Sequence, residues 1–261
     1  MDRKNYWNES YLSYWRERVA ESEKVGKESA IVSGDAKTEG DEVYEKVFQD
    51  YALLPGRILD VGCAWGRMFG IFKKHGLKIS GIDISDAMIE MAKEEWKDDS
   101  DIETLSEAEA ETLPFADGHF DNLCCLAVFD ATYQDRAIAE FLRVVKPGGR
   151  LYVTGKNTRY AADDELALKA EIGARGKGHP NYFTDVSSLV RQLNKNGHKT
   201  VGEYYFPRRG DFADFSFTHN VPETFYEYLI VIERGEDIGE FSVFSDQYSE
   251  TFKASDTGQT V

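Results

Sequence analysis

Residues 58–66 read Ile-Leu-Asp-Val-Gly-Cys-Ala-Trp-Gly, an apolar strand that runs into a turn of small residues with a helical pattern behind it. This stretch constrains the chain more than any other. Gly62 permits a positive φ or the close approach of another backbone. The first amides of the helix that follows lack intrahelical partners and carry partial positive charge, so they favour an anionic group such as a carboxylate. In open α/β sheets, ligands bind in the crevice at strand ends of this kind. Taken alone, the loop is also compatible with a tight turn that binds nothing.

The surrounding pattern alternates. Arg57–Val61 reads as a strand, residues 66–75 as a helix with Gly76 past its end, and Leu77–Ile82 as a second strand. Ser85 is placed to cap a helix whose Ile89, Ala92 and Trp96 share a face. Ile102–Leu105 is a weak third strand, and Asn122–Phe129 is a nearly continuous apolar run, as expected of a strand buried on both faces. Residues 134–145 form a helix with Ile138, Phe141, Leu142 and Val145 inward, ended by Pro147-Gly148-Gly149 before a strand at Arg150–Thr154. Thr184 opens a helix carrying Val186, Leu189, Val190 and Leu193, and Lys199–Phe206 and Phe225–Ile232 read as the last two strands. Such alternation predicts a seven-stranded, mostly parallel Rossmann-like α/β sheet with helices on both faces, and an antiparallel last strand at the edge.

Ahead of this core, Tyr6, Trp7, Tyr11, Tyr14, Trp15 and Val19 fall on one helical stripe. Residues 1–52 are therefore expected to be an N-terminal helical lid. Residues 53–248 form the main domain, with substrate-side insertions at 157–183 and 207–224, and 249–261 a polar flexible tail. The net charge of −16 repels a nucleic-acid backbone. Cys63, Cys124 and Cys125 have no framework spacing and read as free buried thiols of a reducing compartment. No apolar h-region or membrane-length run occurs, so a cytoplasmic location is expected. No metal site is expected.

Asp83 follows Asp60 by 23 residues, where the second strand should end, and an acidic residue there can accept both hydroxyls of a ribose. The G-x-G-x-x-G fingerprint of nicotinamide enzymes is absent: Gly62, Ala64 and Trp65 do not supply it. Four segments, in order and spacing, resemble the class I S-adenosylmethionine-dependent methyltransferases, in particular the ubiquinone/menaquinone-type and small-molecule enzymes. They are Ile58–Gly66, Gly81–Ser85, Glu109–Phe115 with Asp117–Asp121, and Phe141–Gly149. The resemblance covers residues 55–156 well, residues 184–234 in outline, and leaves residues 1–40 outside.

The resemblance implies S-adenosyl-L-methionine as cofactor, with S-adenosyl-L-homocysteine as product. Asp60 and the backbone from Gly62 through Cys63 and Ala64 to Gly66 would surround the methionine part. Asp83 would hold the ribose and Ile84 would pack on the adenine. Glu109 would accept from the adenine amine, the Ala110 amide would meet a ring nitrogen, Glu111 would stand beside them, and Leu126 would contact the methionine amine. Two departures stand out. Ala64 replaces a usual glycine, tolerable if φ stays negative there, and Phe129-Asp130-Ala131-Thr132-Tyr133 lacks the His residues often found after the fourth strand.

Methyl transfer is an in-line displacement with a good leaving group, so the protein mainly positions the acceptor and excludes water; an oxygen acceptor also needs a base. Catalytic candidates on strand-end loops are Asp130, Tyr133 and His179. Substrate candidates are Tyr6, Trp7, Tyr11, Tyr14, Arg208 and Arg209, the arginines suiting an acidic acceptor. Asn157, Arg159, Tyr160, Asp211 and His219 occupy similar loops. The expected activity is methylation of an O or N atom of a small-molecule acceptor by a monomer or homodimer, with no nucleic-acid or membrane partner. The alternatives are a non-catalytic cofactor binder of the same fold and a nucleic-acid methyltransferase.

Overall fold

Runs of β-branched and aromatic residues set the sheet, and the computed structural model, which describes residues 3–11, 41–176 and 178–246, contains seven strands. These are β1 (Arg57–Val61), β2 (Lys78–Asp83), β3 (Ile102–Glu107), β4 (Phe120–Cys125), β5 (Val145–Lys156), β6 (Lys199–Phe206) and β7 (Glu227–Glu233). Their order is β3-β2-β1-β4-β5-β7-β6. All neighbours are parallel up to β5, and β7 is antiparallel to both β5 and β6. The last strand is thus antiparallel as expected, but it is inserted between β5 and β6, and β6 takes the edge.

The helices are α1 (Arg3–Asn5), which continues as a π-helical turn over Tyr6–Tyr11, α2 (Asp41–Asp50), α3 (Phe69–Lys74), α4 (Asp86–Glu95), α5 (Gln134–Val144), α6 (Glu165–Gly176), α7 (Val186–Lys195) and α8 (Asp211–Asp214). Successive strand residues point to opposite faces. Leu59, Val61, Leu123, Cys125, Leu151 and Val153 join one core with Phe141 of α5 and Leu189 and Leu193 of α7. Ile58, Ile79, Cys124 and Tyr152 join the other with Val47 and Phe48 of α2 and Phe69 and Phe72 of α3. Cys124 and Cys125 accordingly face opposite sides, and all three cysteines are buried and free.

Several boundaries differ from the sequence expectation for identifiable reasons. The apolar run predicted as a strand to Phe129 leaves the sheet after Cys125, because Ala127 takes φ +59° and Phe129–Ala131 closes a 3-10 turn. Asp185, not Thr184, caps α7 by accepting from the Ser188 amide, while the Thr184 hydroxyl is bonded to Gln134 and Tyr228. Of the lid expected over residues 1–52, Val43, Tyr44, Val47 and Phe48 of α2 are buried against the core, Arg3–Tyr11 forms a short strap, and residues 12–40 lie outside the described residues. Tyr14 and residues 249–261 lie outside the described residues.

Candidate functional site

Two bent loops at the carboxyl ends of β1 and β4 shape the site. After β1, the amides of Gly62 and Cys63 both donate to the Ile82 carbonyl, at 2.8 and 2.9 Å, tying the loop to β2. Gly62 has φ +75° and Ala64 φ +49°, so the condition for an unstrained alanine, a negative φ, is not met: the alanine occupies the left-handed region normally left to glycine. The Ala64 amide donates to Asp83 Oδ2 at 2.9 Å and the Ser85 amide to Oδ1 at 2.9 Å. Ser85 in turn caps α4 as predicted, accepting from the Met88 amide. After β4, Ala127 holds its own positive φ through a 2.6 Å bond from its amide to Thr154 Oγ1. Both strained alanines line one pocket, and strain of this kind concentrates at functional sites.

The pocket lies at the ends of β1, β2 and β4. Of the expected cofactor residues, Asp60, Gly62, Cys63, Ala64, Asp83, Ile84, Ala110, Glu111 and Leu126 line it. Gly66 and Glu109 do not. The Gly66 amide closes the turn onto the Cys63 carbonyl, and its φ of +86° with Phe69 and Trp96 packed against its Cα makes it a structural glycine. Glu109 is exposed and paired with Arg3. Asp60 is only 3% exposed and its carboxylate has no hydrogen-bond partner among the described residues. Burial pushes its pKa up to about 7, against the pull of Arg67 and with a further push from Asp83. Burial also raises Asp83, though its backbone hydrogen bonds oppose this. Each Asp83 oxygen retains a lone pair beyond its single amide bond, enough for a pair of hydroxyls. A buried, unpartnered carboxylate in such a pocket suits a cationic ligand.

The three catalytic candidates stand outside the pocket lining, each engaged elsewhere. Asp130, 8% exposed, sits in the 3-10 turn with Oδ2 3.3 Å from Lys156 Nζ. Tyr133 lies beneath the Arg3 guanidinium, 4.6 Å from its ring centre, and stacks on Tyr182. His179 Nδ1 is 2.9 Å from the Tyr6 hydroxyl. Among the substrate candidates, Trp7 lines the pocket, Tyr6 is buried against His179, and Tyr11 ends the strap. Arg208 forms a two-pronged ion pair with Asp163 at 2.8 and 3.1 Å, and Arg209 donates to the Tyr226 hydroxyl at 3.1 Å. Arg208 is thus paired with the 157–183 insertion, and the Arg209 amide also donates to Asp164 Oδ2 at 2.8 Å.

Residues that sequence reasoning missed include Arg3, Arg67, Met68, Met88 and Thr132 on the pocket wall. A second missed group surrounds Lys156 at the end of β5. Its ammonium stands 3.3 Å from both Asp130 and Glu171. Glu171 also accepts from the Tyr226 hydroxyl and from Asn181 Nδ2, and Glu227 faces Lys156 across the β5–β7 register. Burial would lower the lysine, but Asp130 and Glu171 more than offset this and raise it. Burial lifts Glu227 to about 7 despite Lys156 and Arg209. A lysine ending the apolar stretch Leu151–Gly155 was the available signal.

A mostly parallel sheet with a carboxylate-lined pocket at the ends of its first, second and fourth strands defines an α/β fold with a ligand crevice at its strand ends. The comparisons narrow this. Residues 59–153 match a family described as "Methyltransferase domain". The chain is 35% identical over 104 residues to the ubiquinone/menaquinone biosynthesis C-methyltransferase UbiE of Bordetella avium, a match covering 38% of this chain and 41% of that protein. It is 26% identical to the ubiquinone biosynthesis O-methyltransferase of Coxiella burnetii, covering 64% of this chain and 75% of that one. The fold is similar to that of geranyl diphosphate C-methyltransferase from Streptomyces coelicolor A3(2), whose structure holds S-adenosyl-L-homocysteine, with TM-score 0.59, 14% identity, and 76% and 77% of the two chains covered. Over residues 59–153 the chain is similar to the S-adenosylmethionine-dependent methyltransferases, and its fold is theirs. It spans about two fifths of the length of the first of these relatives. Among the described residues, no helix is long and apolar enough to cross a membrane.

Proposed function

We propose that this protein binds S-adenosylmethionine in the pocket between β1, β2 and β4 and transfers its methyl group to an oxygen or nitrogen of a small-molecule acceptor. The observation that carries the reading is Asp60. It is a buried carboxylate without a hydrogen-bond partner among the described residues, and it faces a pocket in which a second carboxylate, Asp83, is fixed by two backbone amides. Asp83 is placed for ribose hydroxyls. Asp60 complements the cationic methionine end, and the Trp7 ring offers a face to a sulfonium. When bound, the cofactor supplies an activated methyl group with a neutral leaving group.

The chain's own contribution is to hold the acceptor in line and exclude water. Asp130, Tyr133 and His179 lie outside the pocket lining, so transfer by positioning alone, to an acceptor that presents its own lone pair, suits this site best. A non-catalytic binder of the same fold is the second reading, favoured by the same placement. Calorimetry with S-adenosylhomocysteine, followed by product formation across a panel of phenolic, amine and carboxylate acceptors, tests both readings. Asp83→Ala should weaken binding by about tenfold or more, as loss of a buried hydrogen-bonding carboxylate does. A folded protein that binds no cofactor overturns the proposal, and binding without turnover across the panel leaves only the second reading.

A further inference from the structure

The strap Arg3–Tyr11 lies outside the matched methyltransferase stretch, yet Arg3 and Trp7 both form pocket wall. Arg3 is held unusually firmly for a residue so near a chain end. Its guanidinium engages both oxygens of Glu111, reaches Glu109 Oε2 at 3.4 Å and the Ala131 carbonyl at 3.3 Å, and covers the Tyr133 ring. The two partners of the central pair are 13% and 5% exposed, so the fork is largely desolvated. Glu111 is itself fixed by the Tyr133 amide at 2.6 Å. Lys4 repeats the device one residue on, pairing with Glu107. The three acids Glu107, Glu109 and Glu111 thus offer a comb at the end of β3, and the strap supplies two cations to it. On its other side the strap is tied to the 157–183 insertion through Tyr6 and His179.

We infer that Arg3 is a cofactor-site residue and that the strap is an ion-pair-locked wall that must be released for the cofactor to enter or leave. The inference rests on the cofactor reading above. Ala110 lines the pocket between the two glutamates that Arg3 engages, so an adenosine lodged against Ile84 and Ala110 lies under the strap. Glu109, which the family resemblance would give to the adenine amine, is shared with Arg3. Cofactor exchange and the Arg3 lock are therefore coupled. A bidentate, charge-assisted pair of low exposure is a stronger lock than a surface ion pair, and it weakens as salt screens the exposed Lys4–Glu107 and Arg3–Glu109 arms.

The test is the dissociation rate of S-adenosylhomocysteine from the full chain, measured by stopped-flow displacement. Arg3→Ala should release it roughly tenfold faster, the scale expected for loss of one charge-assisted fork. Arg3→Lys keeps charge without the fork and should fall between. Wild-type release should also quicken between low salt and about 0.5 M salt, and the salt effect should shrink in Arg3→Ala. Lys78→Ala, which removes an exposed ion pair with Asp101 at the far end of β2, is the control and should match wild type. Wild-type-like release from Arg3→Ala would overturn the inference. No binding by wild-type protein would instead overturn the cofactor reading on which it rests.

Discussion

The backbone amide of Ala64 donates to Asp83 Oδ2 across 2.9 Å, so the turn after the first strand and the acid ending the second are built as one unit. Within that unit Ala64 holds φ +49°. An L-residue there carries a strain of about 1–2 kcal/mol that glycine does not, partly offset by glycine's greater unfolded-state entropy. Ala64→Gly should therefore stabilise the protein by about 0.5–1 kcal/mol. Thermal and urea unfolding read this directly, and a lower midpoint in the variant would contradict the strain assignment.

Gly62 responds in the opposite sense. A Cβ there would stand 2.4 Å from Val128 Cγ2, at a φ of +75°. Val128 is itself pocket wall. Gly62→Ala should cost about 2 kcal/mol or more through combined strain and overpacking, and should weaken cofactor affinity at least roughly tenfold by displacing Val128. Calorimetry and denaturation on the same preparation separate the two effects.

Asp60 gives a pH dependence. Burial raises its folded pKa from the ordinary carboxylate value to about 7. Between these values the unfolded chain has released this proton while the folded protein retains it, so the group's contribution to stability falls as pH rises from about 4 to about 7 and is constant above. Binding runs the other way. A cationic ligand favours ionised Asp60, so S-adenosylmethionine affinity should rise through pH 7. Asp60→Asn should flatten that rise; an unchanged slope in the variant would assign it to another group.

Lys156 neutralises carboxylates that solvent barely reaches. Lys156→Met leaves Asp130 and Glu171 facing each other without their cation, and removing one partner of a buried pair costs about 3–5 kcal/mol. Denaturation midpoints of the variant and the wild type check this, and an unchanged midpoint would rule it out.

Much of this architecture was legible from pattern. β6 is found at its predicted limits, Ser85 caps α4, and Gly76 follows α3, because each depends on local chemistry that a few neighbouring residues declare. Helix α6 was not legible because its pattern is inverted. Glu171 is buried while Leu166, Leu168 and Ile172 are exposed, so no apolar face announces it. Nine of eleven expected cofactor residues line the pocket, since the motif loops fix their own backbone course. Glu109 stands outside the pocket lining and is paired with Arg3, which lies 106 residues away with no local signal coupling the two. The same holds for Lys156, whose three acidic neighbours come from separate parts of the chain.

The insertion of β7 between β5 and β6 sets an order of events during synthesis. Among the described strands β6 pairs with β7 alone, and β5 cannot complete its second ladder until residue 233 has been made. While the ribosome is still short of that point, the nascent chain carries two unsatisfied strand edges rich in valine, tyrosine and phenylalanine, the kind of surface that recruits chaperones or self-associates. The loops holding Asp60, Asp83 and Ala127 are translated well before β7, but the sheet that keeps them in register closes only after residue 233.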